Sequence, residues 1–244
     1  MDSISVSAAS GMRTRMESLE LLANNLANIE TGGYKADREF YSLYSSLDSS
    51  PDPQTGVGST LPVIQRHWTD AAQGELHVTS NPLDFAIDGD GLFAVQTPRG
   101  IRYTRNGNFR VDSNGNLSTL DKSAVLGTDG LPMKLEAGVP VEVQTDGTVT
   151  QGGLPAGKLQ VVSFRDGEVN KEGANYYVPV SGARPLAAKG SVLQGKLESS
   201  NVAAPESAVR LVAIMRQFEM LQRAAGIGNE MNKSAIEEVG KVVG

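Results

Sequence analysis

Seven Asp-Gly or Asn-Gly pairs crowd the middle of this chain: Asp88-Gly89, Asp90-Gly91, Asn106-Gly107, Asn114-Gly115, Asp129-Gly130, Asp146-Gly147 and Asp166-Gly167. Each supplies the positive φ that tight hairpins require, so no long helix runs through this region. Between and around them lie short runs rich in β-branched and aromatic residues, at 83–87, 92–97, 101–104, 108–111, 141–145, 158–164 and 176–180. Their period is two. The centre, from 61 to 200, therefore reads as a mainly antiparallel β domain.

The two ends obey a different period. Met12, Met16, Leu19, Ala23 and Leu26 recur at steps of four and three, the seam spacing of a coiled coil, and predict one helix over 3–30, about 42 Å long. Such a seam wants a partner helix. Asn24, Asn25 and Asn28 each disfavour helix by about half a kcal/mol relative to alanine. Their amides are expected to bond outside the helix, either as caps or as polar positions that fix register between helices. Gly32 and Gly33 then stop the helix.

At the other end Pro205 suits a first helical turn and Glu206 suits the positive end of the dipole. Leu211, Ile214, Phe218, Leu221 and Ala225 follow as the partner seam. Gly226 and Gly228 weaken this helix by about 1 kcal/mol each. A kink or break is expected there before the pattern resumes over 231–243. The fold class is α+β: paired N- and C-terminal coiled-coil-like helices with an inserted mainly antiparallel β domain. Residues 1–35 and 205–244 form the helical domain, 36–60 a linker or arm, and 61–200 the β domain. Residues 34–47 fit a short helix or an extended arm, and 48–60 read as a polar, turn-rich linker.

Chemistry-bearing motifs are few. Gly89-Asp90-Gly91-Leu92-Phe93-Ala94 matches a dinucleotide fingerprint, but a strand-like run follows it where the pyrophosphate needs a helix, so a hairpin turn is expected. Asp88 with Asp90, and Asp112 with Asn114 and Asn116, resemble calcium loops, but Leu92 takes position five of the first, and in the second Leu117 stands where glycine is needed and Ser123 where the bidentate glutamate belongs. His67 and His77 could meet across a hairpin, yet no third ligand is indicated. There is no G-x-S-x-G turn and no cysteine. No catalytic, cofactor or metal site, and no small-molecule substrate, is expected.

A formal charge of -6 argues against a nucleic-acid surface. No apolar run is long enough to insert in a membrane, and the first residues lack the pattern of a secretory signal. Composition alone points to the cytoplasm.

Both ends carry a resemblance that points elsewhere. Ser10-Gly11-Met12, then Ala23-Asn24-Asn25-Leu26-Ala27-Asn28-Ile29 and Thr31-Gly32-Gly33-Tyr34-Lys35, resembles the amino-terminal signature of the bacterial flagellar rod and hook proteins. Leu197-Glu198-Ser199-Ser200-Asn201-Val202, followed by a long amphipathic helix, is similar to the carboxy-terminal signature of the same family. The resemblance implies a structural subunit of the basal-body rod, of the shorter proximal type, with a distal-rod or hook-like subunit as the alternative. Its partners would be further copies of itself, other rod and hook axial proteins, and the flagellar type III export apparatus, which passes such chains to the periplasmic rod without a cleaved signal.

The expected assembly interface comprises Met12, Met16, Leu19, Ala23, Asn24, Asn25, Leu26 and Asn28 with Leu211, Ile214, Phe218, Leu221 and Ala225. Helices without partners are marginal in water, so the ends are expected to order on assembly. The rival readings are an enzyme, or a cell-envelope binding module whose β domain acts alone.

Overall fold

The computed structural model describes the backbone of residues 3–45, 60–173 and 175–242, and side chains over 8–39, 67–173 and 175–234. Two compact units divide the chain. One unit holds helix α1 (Ser3–Ala27), strands β1 (Asp37–Ser45) and β2 (Thr60–Thr69), and the long carboxy-terminal helix. The other holds residues 28–36 and 71–202.

Within the open reading of residues 34–47, residues 37–45 are extended, because β1 pairs antiparallel with β2 from Asp37 opposite Thr69 to Ser45 opposite Thr60. The expected linker at 48–59 lies outside the described residues. Helix α1 ends at Ala27 rather than at 30. The Thr31 N–H turns back to the Asn28 carbonyl at 3.1 Å, and the Thr31 hydroxyl donates to the Asn28 side-chain oxygen at 3.2 Å, so a turn replaces the helix from Asn28 onward.

The β unit is antiparallel throughout. Its strands are β3 (Leu76–Val78), β4 (Phe85–Asp88), β5 (Leu92–Thr97), β6 (Gly100–Thr104), β7 (Phe109–Val111), β8 (Leu117–Thr119), β9 (Ala124–Val125), β10 (Val141–Val143) and β11 (Thr148–Gln151). There follow β12 (Leu154–Lys158), β13 (Val161–Ser163), β14 (Val169–Glu172), β15 (Tyr176–Pro179), β16 (Leu186–Ala187), β17 (Ser191–Gln194) and β18 (Lys196–Glu198). Helix α2 (Ala204–Val242) completes the chain.

The main sheet has the order β14-β15-β6-β5-β9-β8-β7, while β10-β11-β12, β17-β4 and β18-β3 form smaller sheets. Period-two alternation sends Phe85, Ile87, Phe93 and Val95 into one core, where Phe93 and Phe109 meet edge to face at 5.2 Å and Phe85 lies 5.8 Å from Phe109. Ala94 faces the other way into a second cluster with Tyr103, Leu126, Val162 and Tyr177.

Six of the seven turn glycines take positive φ. Gly107 is the exception, and its need for glycine is steric: a Cβ there would stand 1.6 Å from the Phe85 carbonyl oxygen. Residues 88–91 also differ from expectation. They make no hairpin, since β4 pairs with β17 whereas β5 pairs with β6, β9 and β13. Of the expected kink or break at Gly226 and Gly228, the break does not occur, because α2 is continuous from Ala204 to Val242. Glycine lowers helix stability but, unlike proline, keeps the N–H that bonds back to residue i−4.

One turn carries a pH dependence. Thr148 N–H at 3.0 Å, the Lys158 ammonium at 2.9 Å and the Thr148 hydroxyl at 2.9 Å all donate to the Asp146 carboxylate. Together, with the Thr148 N–H foremost, they lower its pKa to about 2. Since the folded value lies below the unfolded one, this stabilisation is complete above the ordinary carboxylate range and is lost as pH falls toward about 2. Asp146→Asn is expected to reduce the loss of stability between about pH 5 and about pH 2.5, as read by urea unfolding at both. An undiminished loss would refute the assignment.

Candidate assembly interface

Two features define the site: a buried clasp within the β unit, and the apolar faces of α1 and α2 within the helical unit. The clasp centres on Glu198, whose side chain is fully buried. Its Oε1 accepts from Lys35 Nζ at 2.5 Å and from the Gly74 N–H at 2.9 Å, and its Oε2 accepts from Arg105 Nε at 2.5 Å. The cations are satisfied in turn. Lys35 Nζ also donates to the Ala72 carbonyl at 2.7 Å. Arg105 donates to the carbonyls of Gly91 at 2.6 Å, Ile87 at 2.7 Å and Gly89 at 2.8 Å.

This explains the dinucleotide-like glycines. Gly89 and Gly91 offer carbonyl oxygens to a guanidinium, the polarity opposite to that of a phosphate cradle.

Backbone contacts close the clasp. Gly33 N–H donates to the Glu198 carbonyl at 2.7 Å, Ser199 N–H to the Glu75 carbonyl at 2.9 Å, and Asn201 N–H to the Tyr34 carbonyl at 3.3 Å. The Asn201 side chain accepts from the Ala36 N–H at 2.7 Å and donates to the Ala72 carbonyl at 3.0 Å. Lys171 Nζ covers the buried Tyr34 ring at 3.6 Å and donates to the Lys35 carbonyl at 2.7 Å. Only glycine fits at two points. Gly33 has φ of +68°, and a Cβ there would lie 2.5 Å from the Arg105 carbonyl carbon; at Gly74 a Cβ would lie 2.1 Å from the Ser199 oxygen. Gly33, Tyr34 and Lys35 of the first signature and Glu198 and Asn201 of the second are therefore in direct contact.

Breaking a buried ion pair by removing one partner costs about 3–5 kcal/mol, because a charge is left stranded. The clasp is satisfied at every charge, which is the condition under which such a network specifies a single arrangement.

In the helical unit, α2 turns Ser207, Leu211, Ile214, Phe218, Leu221, Ala225 and Gly228 inward at alternating steps of four and three, all buried or half-buried. The expected α2 seam is thus an internal face. For α1 the internal face differs from the one expected. Ala8, Thr14, Ser18, Leu22 and Asn25 are buried, and Gly11 lies against Leu221, whose methyl groups a Cβ would meet at 3.3 Å.

These small, polar residues tolerate burial because Thr14 and Ser18 return their hydroxyls to the helix, to the Ser10 carbonyl at 3.1 Å and the Thr14 carbonyl at 3.0 Å. Asn25 grips the start of β1, donating to the Asp37 carbonyl at 2.8 Å and accepting from its N–H at 2.9 Å. Asn28 is half-buried in the turn after α1, and Asn24 is exposed. Arg210 bonds the buried Glu39 carboxylate of β1.

The remaining apolar positions face outward. Met12 and Leu19 are half-buried, Ala23 is exposed, and Met16 and Leu26 keep 52% and 38% of their surface open. Opposite its internal face, α2 exposes Val209, Met220, Ile227 and Met231 by 72%, 59%, 59% and 62%. Those four are separated by eleven, seven and four residues, whole turns that place them on one stripe. The sequence reading missed this second stripe because it sought one seam per helix. It also missed Lys35, Arg105, Glu198 and Asn201 as a unit.

The histidines do not converge on a ligand set: His67 stands opposite Glu39 on β2 and His77 opposite Leu197 on β3. Among the described residues no group of three or more His, Cys, Asp or Glu side chains is placed to hold a metal ion. Asp112 spends its carboxylate on the Asn114 and Asn116 N–H groups, both at 2.8 Å, as a turn residue does. The Asn116 N–H foremost lowers its pKa.

A closed clasp with two-faced helices is the build of a structural, packing subunit. Residues 86–151 match the family model of the flagellar hook protein FlgE/F/G D1 domain, and residues 193–238 match that of the flagellar basal body rod FlgEFG protein C-terminal region. The chain is 31% identical to the flagellar basal-body rod protein FlgF of Caulobacter vibrioides, over 99% of this chain and 100% of that one. It is 30% identical to FlgF of Mesorhizobium japonicum (88% and 90% covered) and 32% identical to the basal-body rod protein FlgG of Bacillus subtilis (87% and 90% covered). The chain belongs to the flagellar basal-body rod protein family, and within it is most like FlgF. It is a structural subunit of the flagellar basal body and not an enzyme.

Proposed function

We propose that this subunit builds the proximal rod by packing the open stripes of α1 and α2 against neighbouring axial subunits, including further copies of itself. The carrying observation is that α2, after burying one face inside the chain, retains a second apolar stripe along Val209, Met220, Ile227 and Met231, while α1 leaves Met16 and Leu26 exposed. Each Å² of apolar surface removed from water contributes about 25 cal/mol, so covering these stripes favours association. A stripe on one helix meeting a different stripe on a neighbour is a heterologous contact, which extends into a helical tube when its rotation does not close.

In this reading the helical unit, with α1 and α2 paired in coiled-coil fashion, is the axial core, and the β unit is the inserted domain. In this reading the chain reaches the rod through the flagellar type III export apparatus.

Far-UV circular dichroism and sedimentation of the full chain across a concentration series test the assembly step. Helix content is expected to rise as the chain associates. A fully helical monomer at every concentration would overturn the proposal.

A further inference from the structure

Building on the assembly reading proposed above, we infer that the neighbour seated on the outer stripe of α2 is α1 of a second copy of this chain, placed there by Glu20 of one copy meeting Arg216 of the other. On α1 the exposed Met16, Glu20, Ala23 and Ala27 follow one another at steps of four, three and four, a single stripe opposite the buried Thr14, Ser18, Leu22 and Asn25. On α2 the exposed Val209, Arg216, Met220, Arg223, Ile227 and Met231 run at steps of seven, four, three, four and four, opposite Ile214, Phe218 and Leu221. Each outer stripe thus carries charge among its apolar residues, acidic on α1 and basic on α2.

The Glu20 and Arg216 charges are not spent inside the chain. Glu17, the other carboxylate of α1, is taken by Arg13 at 3.2 Å; Arg210 is taken by Glu39, and Arg223 leans on Glu219 at 3.8 Å. Among the described residues Glu20 and Arg216 have no hydrogen-bond or ion-pair partner. Each lies on the face turned away from the other helix of its own chain. A stripe laid on its own kind gathers like charges, which costs affinity, whereas α1 on α2 gathers opposite ones. Shape agrees with charge. Ala23 and Ala27 leave shallow gaps beside Glu20, and Met220 and Ile227 are the longer side chains that fill such gaps. The contact is heterologous, so each copy keeps one stripe open for the next.

Sedimentation of the full chain over a concentration series tests this with exchanged charges. Glu20→Arg and Arg216→Glu, each alone, put like charges in the contact and are expected to raise the concentration of half-association by about thirtyfold or more. Both positions are exposed, so the helix content and unfolding midpoint of the dilute monomers are expected to equal those of the unmodified monomer. An equimolar mixture of the two variants is expected to associate within about fivefold of the unmodified chain. In it α1 of the first meets α2 of the second with opposite charges, and the reverse contact is unaltered. The doubly exchanged chain is expected to associate by itself.

Single variants that associate as the unmodified chain does would overturn the pairing, and so would a mixture that stays apart. In both cases the unmodified chain still associates and the assembly reading stands. An unmodified chain that is monomeric at every concentration would sink that reading and this pairing together. Should either exchange unfold the monomer, Glu20→Gln and Arg216→Gln take its place: their losses are expected to be non-additive in the double variant, and strict additivity would overturn the pairing.

Discussion

Met220→Asp is expected to abolish association of the full chain while leaving the helix content and unfolding midpoint of the dilute monomer equal to those of the unmodified monomer. Met220 is 59% exposed and stands on the outer stripe of α2, so a carboxylate there costs the single chain almost nothing. In an assembled contact it replaces about 1.5–3 kcal/mol of apolar burial with a desolvated charge. Each contact then weakens by at least about a hundredfold, and every added copy repeats the loss. Phe218→Asp supplies the contrast. Phe218 lies on the internal face with Ile214 and Leu221, so a charge there is expected to strip helix from the monomer as well. Sedimentation with far-UV circular dichroism separates the two. Assembly by Met220→Asp at wild-type concentrations would remove the outer stripe from consideration.

Gly33→Ala is expected to cost about 3 kcal/mol or more, and Gly32→Ala less than about 1 kcal/mol. The two neighbours differ in both respects that matter. Gly33 holds φ of +68° with the Arg105 carbonyl carbon 2.5 Å from where a Cβ would be. Backbone on both sides leaves nothing to give way. Gly32 carries no positive φ, and its nearest neighbours, the Asn106 Oδ1 at 3.4 Å and the Glu198 carbonyl at 3.5 Å, are at ordinary contact distance. Thermal unfolding reads the difference as a midpoint lowered by about 6–12 °C for the first and by no more than a few degrees for the second. Equal shifts would mean that the close approach to Arg105 is not what requires glycine.

The β centre was legible because each of its apolar runs alternates and its turns are marked. All seven predicted runs contain strands, and Leu92–Thr97 coincides in full. Several strands that escaped are short or polar, such as Ala124–Val125 and Thr148–Gln151, whose strand state comes from their partners rather than their own propensity. On α2 the internal face was legible because its residues are large and apolar. On α1 it was not, because Gly11, Thr14, Ser18 and Asn25 carry no apolar signal; what they offer is small size and hydroxyls that bond inside the helix. The clasp was half legible. Lys35, Glu198 and Asn201 stand inside recognisable motifs, but a bond spanning 163 positions leaves no trace in periodicity, and Arg105 stands in neither motif.

The clasp also decides where mechanical load travels. Residue 28 follows α1 directly and residue 202 leads directly into the segment before α2, and the ties among Gly33, Lys35, Ala36, Glu198 and Asn201 join those two stretches. Tension or torsion entering by one helix can pass to the other through this short bridge, whose bonds share the load in parallel. Resistance to forced opening is a matter of unfolding rate, and here it rests with a handful of buried bonds at the neck of the loop.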